Sequence, residues 1–295
     1  MRLLAACFLG LTAACGATGD GRHSPAAPEQ RVRASDGLEL AYEQRGQGAP
    51  ALVFVHGWAG DRGLWRATLE AFANEQRVLA LDLGGHGTSG RGRTDVSLAR
   101  LALDVVEVVQ AAGLEDCVLV GHSLGAPVAL LAAPLLAPRV RAVIAVEALH
   151  DVDFRYPPGA LAAAAAELER DFPRALEGSL RLSLGNGADD ALCEWLTRRA
   201  LVTERSTALT LLGELETFEL APALAGAGVP VRALNADPRG GARPPTQVEK
   251  NRRHADFDVV LLERVGHFPM LEDPPAFRAA LRAVLAELPA PSTPR

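Results

Sequence analysis

A chain of 295 residues, 48% of them hydrophobic and 22% charged, is long enough to bury a full core and has an ordinary globular balance. Its net charge of −6 supplies no basic face, which excludes nucleic-acid recognition. No apolar run reaches the ~20 residues that a bilayer-spanning helix needs.

The chain opens Met1-Arg2 and runs through apolar residues from Leu3 to Ala14, ending Leu11-Thr12-Ala13-Ala14-Cys15. One positive charge, a short apolar stretch and a cluster of small residues read as an export signal over residues 1–15, not as folded structure. The small residues before Cys15 resemble a bacterial lipoprotein signal, in which the Cys is lipidated and tethers a soluble domain to the cell envelope. Leu4-Ala5-Ala6-Cys7 shows the same pattern but leaves almost no apolar region before it. Plain cleavage, or a start site placed too early, is the other reading. Residues 16–30, rich in Gly, Ala and Pro, read as a flexible linker, and residues 289–295 as a frayed tail. Cys117 and Cys193 lie far apart, with neither disulfide-framework nor metal-ligand spacing, and read as packing residues.

Between these ends the pattern alternates. Arg31–Ala34 and Leu38–Gln44 flank Asp36-Gly37 and predict a hairpin. Ala51–Val55 is a continuous apolar run, as a strand buried on both faces should be. A helix over Leu64–Ala73 leads to a strand at Val78–Leu83. Ser97–Ala112 carries apolar residues at helical spacing, with Asp95 or Ser97 to cap it. Val118–Val120, Val140–Val146, Val229–Leu234 and Phe257–Leu262 read as strands, Leu124–Leu136 and Ala276–Leu288 as helices. Strands alternating with helices predict an α/β fold: a mostly parallel central sheet with helices on both faces. Residues 150–227 break the alternation. They hold no convincing strand, and Ala160–Arg170, Asp189–Val202 and Ser206–Leu215 read as helices. A block of this size is an inserted helical cap interrupting a core of residues 31–149 and 228–288.

Gly121-His122-Ser123-Leu124-Gly125 follows one strand and opens a helix, the setting that a nucleophile elbow requires. Glycines on both flanks let backbone approach without a Cβ, and the helix behind Ser123 aims its free N–H groups where negative charge develops. The N–H of Leu124 is one candidate oxyanion donor. His56-Gly57-Trp58 ends the strand Ala51–Val55, and Trp58 N–H is the second candidate donor; His56 itself reads as structural. The glycines of Asp82-Leu83-Gly84-Gly85-His86-Gly87-Thr88-Ser89 lead into a polar loop, not a helix, so they do not make a dinucleotide site.

These three motifs, in this order, resemble the α/β-hydrolase superfamily over roughly residues 31 to 288, and within it the capped serine esterases, lactonases and carbon–carbon hydrolases. The family usually has Pro where Gly84 stands, a departure expected only to loosen the turn. Val265-Gly266-His267-Phe268-Pro269 follows the strand Phe257–Leu262 and resembles the segment that carries the family's catalytic His. Asp237 ends the strand Val229–Leu234 and gives the chain order Ser123, Asp237, His267. Its turn is shorter than in many members. Glu147, at the end of the strand before the cap, is the alternative acid, with Asp151 and Asp153 just beyond. His122 reads as packing, and His150 and His254 as surface or cap residues.

The expected chemistry is hydrolysis of a small-molecule carboxylic ester or lactone through an acyl-serine, by Ser123, His267 and Asp237, without cofactor or metal. Ser123 argues against the carboxylate-nucleophile reactions of this fold. Carbon–carbon, amide or perhydrolase chemistry on the same groups, or a ligand-binding member without turnover, are the rival readings. Phe154, Tyr156, Phe172, Trp195 and Phe218 are the aromatic residues available to the cap core or the pocket wall.

Overall fold

The computed structural model describes residues 28–185, 188–240 and 244–289. The export signal expected over residues 1–15, with Cys7 and Cys15, lies outside the described residues, as do most of the linker and tail. Among the described residues no helix is long and apolar enough to cross a membrane.

The hairpin forms as expected: β1 (Gln30–Arg33) pairs antiparallel with β2 (Glu39–Arg45), and Gly37 takes a left-handed φ of 90° at the turn. Then come β3 (Ala51–Val55), α1 (Arg66–Phe72), β4 (Val78–Leu81), α2 (Leu98–Ala111), β5 (Cys117–His122), α3 (Gly125–Leu135) and β6 (Val140–Val146). Ser97 caps α2 by accepting the Arg100 N–H at 3.1 Å. After β6 stand α4 (Ala160–Arg170), α5 (Phe172–Ser183), α6 (Asp190–Ala200), α7 (Arg205–Thr217) and α8 (Leu220–Gly226). The core resumes with β7 (Val231–Ala236), α9 (Val248–Asn251), β8 (Phe257–Leu262), α10 (Pro269–Glu272) and α11 (Pro274–Glu287).

The sheet order is β1-β2-β4-β3-β5-β6-β7-β8. β2 runs antiparallel to β4, and every pair from β4 through β3 and β5 to β8 is parallel. The continuous apolar strands are explained by burial on both faces. Val53 and Val55 of β3 face a core built with α2 and α3, while Leu52 and Phe54 face Trp65, Leu69 and Phe72 near α1 and Phe277, Leu281 and Val284 of α11.

The segment between β6 and β7 has its own apolar cluster, including Leu168, Phe172, Leu176, Ala200, Ala208 and Leu212, packed against Ala59 after β3. Two of its helices were not read from the sequence. α8 is too short to show a period. α5 carried a legible signal: Asp171 accepts the Arg174 N–H, Pro173 sits in the first turn, and Phe172, Leu176 and Leu180 recur at four-residue spacing. α4 begins at Ala160, the residue predicted, although its cap comes from α7. Glu216 accepts the N–H groups of Gly159, Leu161 and Ala162 at 2.5, 2.9 and 3.1 Å.

Gly84 corrects one expectation. Its turn is tied, not loosened, because the Gly84 N–H donates to buried Asp104 at 2.9 Å. Arg93 and Arg100 hold the same carboxylate at 2.9 and 3.3 Å. A proline here has no N–H to give. Gly84→Pro is therefore expected to destabilise the protein by about 1–3 kcal/mol, read as a lower urea midpoint at unchanged slope; an unchanged midpoint would show the bond to be dispensable.

Candidate active site

The turn from β5 into α3 holds Ser123 at φ 51°, a left-handed conformation that costs a serine about 1–3 kcal/mol. Its surroundings impose it. A Cβ at Gly121 would stand 2.2 Å from Gly125 O, and one at Gly125 would stand 2.5 Å from Val55 O. A Cβ at Gly57 would meet Ser123 Cβ at 3.0 Å. Three backbones meet here without side chains between them, and the Ser123 N–H is anchored on Val146 O at 2.9 Å.

Leu124 stands at the N-cap of α3, where backbone N–H groups have no partner within the helix. On the facing loop, the Trp58 indole N–H donates to Ala208 O of α7 at 2.8 Å, and Ala59 takes φ 51°. Asp61 caps the next turn through the Gly63 N–H at 2.7 Å and is held by Arg199 of α6. The candidate oxyanion loop is thus fastened to the helices between β6 and β7.

His56 and His86 are fully buried. His56 Nδ1 lies 2.9 Å from Gly57 O, and its Nε2 accepts the Leu83 N–H at 3.0 Å, a neutral tautomer with both nitrogens used. Burial pushes His56 down to about 4 and His86 to about 3. Both serve the fold, as expected for His56. His122 does more than pack. Its Nε2 lies 2.6 Å from the backbone O of His267, and burial holds its pKa well below the ordinary imidazole value. The His267 loop has further supports. Ser183 O of α5 accepts the His267 N–H at 2.8 Å, and Glu272 accepts the N–H groups of Gly185, Gly266 and Phe268, each at 2.8 Å.

The two candidate acids are placed differently. Asp237 follows β7, and its carboxylate is bonded to Arg239, at 2.8 Å from the backbone N and 3.0 Å from Nε. The Arg239 side chain holds the Asp237 carboxyl below the usual carboxylate range. Glu147, buried at the end of β6, places Oε2 3.4 Å from His267 Nδ1 and receives the Ala236 N–H on Oε1 at 2.5 Å. The imidazole contact thus belongs to the alternative acid of the sequence reading. Asp151 is paired with Lys250 at 2.6 Å, and Asp153 lies 3.4 Å from His254. His150 lies in the site, 3.9 Å from Glu147 Oε2, which sequence spacing did not reveal.

Ser123, Glu147 and His267 line one cavity of about 440 Å³. Leu124, Pro127, Leu149, Leu215 and Leu220 supply apolar wall. Of the aromatic candidates, Phe154, Tyr156 and Phe218 line it, whereas Phe172 and Trp195 belong to apolar clusters away from it. Among the described residues no group of three or more His, Cys, Asp or Glu is arranged to hold a metal.

The sheet order, the strained serine turn and the histidine after the last strand are those of an α/β hydrolase. The profile of the alpha/beta hydrolase family matches residues 52–280, and the chain belongs to that family. It is 28% identical over 255 residues to a pimeloyl-[acyl-carrier protein] methyl ester esterase of Nitrosospira multiformis, covering 82% of this chain and 96% of that protein. It is 38% identical over 94 residues to a dihydrolipoyllysine-residue acetyltransferase component of the acetoin cleaving system of Cupriavidus necator. That match spans only 25% of the relative and 32% of this chain. An esterase from Exiguobacterium antarcticum superposes with a TM-score of 0.79 at 20% identity, covering 88% of this chain and 100% of the other, a likeness of fold.

The buried histidines make stability depend on pH. The unfolded chain binds protons at these groups below about pH 6.5, while the native state holds His56 neutral to about 4 and His86 to about 3. Their contribution is therefore present above about pH 6.5 and is lost as pH falls, by about 1.4 kcal/mol per pH unit for each group near pH 5. Urea denaturation of His86→Asn between pH 6 and 4 should show a slope shallower by about one proton than the parent; equal slopes would show that His86 titrates normally.

Proposed function

We propose that this protein is a serine hydrolase that cleaves a carboxylic ester or lactone through an acyl-serine, with Ser123 as nucleophile, His267 as base and Glu147, not Asp237, as the acid. One observation carries the choice of acid: the buried Glu147 carboxylate puts one oxygen on the Ala236 N–H and the other 3.4 Å from His267 Nδ1. A carboxylate there selects the tautomer with Nε2 unprotonated, able to take the serine proton, and stabilises the imidazolium that results.

In this reading Ser123 Oγ attacks the carbonyl carbon as His267 accepts its proton. The oxyanion is met by the N–H groups of Leu124 and Trp58 at the start of α3 and on the facing loop. His267 then returns the proton to the leaving oxygen. Water, deprotonated by the same imidazole, releases the acid and frees Ser123. The cavity of about 440 Å³ and its leucine and aromatic lining suit a small or medium substrate with an apolar acyl or alcohol group. The similarity to a methyl ester esterase over 82% of this chain supports an ester over carbon–carbon or amide bonds. Export through residues 1–15, with a lipid tether at Cys15, is part of the proposal and rests on the sequence pattern alone.

The test is hydrolysis of p-nitrophenyl esters of increasing acyl length by the chain from Gly16 onward. Ser123→Ala should lose about 10⁴-fold or more in kcat, and Glu147→Gln about 10²–10⁴-fold, whereas Asp237→Asn should stay within a few-fold of the parent. Large loss in Asp237→Asn with little in Glu147→Gln would return the acid to the end of β7. No turnover of any ester by folded protein would favour a different bond or a binding role. For the tether, the full-length protein expressed in a bacterial host should fractionate with membranes and Cys15→Ser should not; identical fractionation would remove the anchor from the proposal.

A further inference from the structure

Strand β6 leaves the sheet where its acid begins. Its last ladder pair with β7 is Val146 with Leu234, and the Glu147 N–H adds one more bond to Leu234 O at 3.0 Å. β7 continues for two residues beside β8, pairing Asn235 with Leu261 and Ala236 with Leu262. Beyond Val146 the chain turns through two left-handed residues, Glu147 at φ 49° and Leu149 at φ 56°. Neither is a glycine, so each needs surroundings that over-determine it.

Asn235 supplies them. It is completely buried, and its side-chain amide bonds both peptide groups that flank Ala148. Oδ1 accepts the Ala148 N–H at 3.2 Å and Nδ2 donates to Ala148 O at 3.0 Å. Nδ2 also donates to Thr246 Oγ1 at 2.9 Å. Turning the amide over would set donor against donor and acceptor against acceptor, so the arrangement has one orientation. The side chain takes the place of a strand partner at the point where the ladder stops. The next N–H along β7, that of Ala236, goes to Glu147 Oε1. Consecutive residues of β7 therefore hold the backbone after the acid and the carboxylate of the acid.

We infer that Asn235 is the positioning residue of the acid: its two bonds to residue 148 lock the left-handed turn that directs Glu147 at His267. The inference rests on the reading of Glu147 as the acid. Among the described residues, the charged and titratable groups around the imidazole are Glu147 after β6, His150 beside it, His122 of β5 and Glu272 of α10. Asn235 is neutral and acts on His267 only through where it places Glu147.

The experiment compares Asn235→Ala, Thr246→Val and Glu147→Gln with the parent. kcat and KM are measured per reactive serine, counted with a fluorophosphonate, and the pH dependence of kcat/KM is followed through its acidic limb. A displaced carboxylate stabilises imidazolium less, so the limb should move to lower pH in Asn235→Ala, as in Glu147→Gln. Its kcat should fall about 10–100-fold with KM nearly unchanged. Thr246→Val, which loses only the outer bond, should shift both readouts in the same sense by a smaller factor and carries the test if Asn235→Ala fails to fold. Loss of reactive-serine count alone, with kcat per site and limb unchanged, would make Asn235 merely structural and overturn the inference. Parental kcat and limb in Glu147→Gln would instead overturn the acid itself, a failure distinguishable from the first.

Discussion

The site depends on a close approach of backbones. At the C-terminal end of the sheet, the turn after β5, the first turn of α3 and the loop after β3 come so near that no Cβ fits at Gly121 or Gly125. That crowding forces Ser123 into its left-handed conformation and lays residue 57 against it. Strain of about 1–3 kcal/mol at one residue is sustained by the parallel sheet beneath, whose central strands are buried on both faces. Ser123, the proposed nucleophile, takes this conformation because the close-set glycines leave it no other arrangement.

Around this point the insertion between β6 and β7 does structural work at three places. Ala208 of α7 holds the Trp58 indole, Arg199 of α6 holds Asp61, and Ser183 O of α5 holds the His267 N–H. The loops that carry the proposed oxyanion donor and the proposed base are therefore bonded to the same insertion whose Leu215, Phe218 and Leu220 wall the cavity. Pocket shape and catalytic geometry are coupled through these contacts, so a change in the insertion is felt at both.

The buried histidines illustrate how position outweighs residue type. Five histidines, His56, His86, His122, His150 and His267, cluster near the site, yet the first three are fully or almost fully buried, with at least one ring nitrogen engaged to backbone, and kept neutral by burial. His150 and His267 both line the cavity beside Glu147, and His267 has the closer approach, 3.4 Å at its Nδ1 against 3.9 Å at the His150 Nε2. In the sequence it was separable from the others by its place after the last strand, not by its neighbours.

What the residues determined alone is what local chemistry controls. Two-sided burial writes continuous apolar runs, so β3 and β6 were legible to the residue, and the glycine spacing around Ser123 is a backbone requirement visible without a structure. The choice of acid was not legible in this way. A carboxylate need only reach one imidazole nitrogen, and the ends of the adjacent strands β6 and β7 each offer one, Glu147 and Asp237, of which chain order alone favoured Asp237. The proposal of Glu147 rests instead on contacts between segments roughly ninety residues apart, Asn235 clasping the backbone at Ala148 and Ala236 taking one oxygen of Glu147, and on Arg239 engaging Asp237 two residues away in the chain. Only the tertiary structure brings those groups together, because the turn that aims Glu147 is left-handed at two non-glycine residues and is held there by neighbours that no local pattern announces.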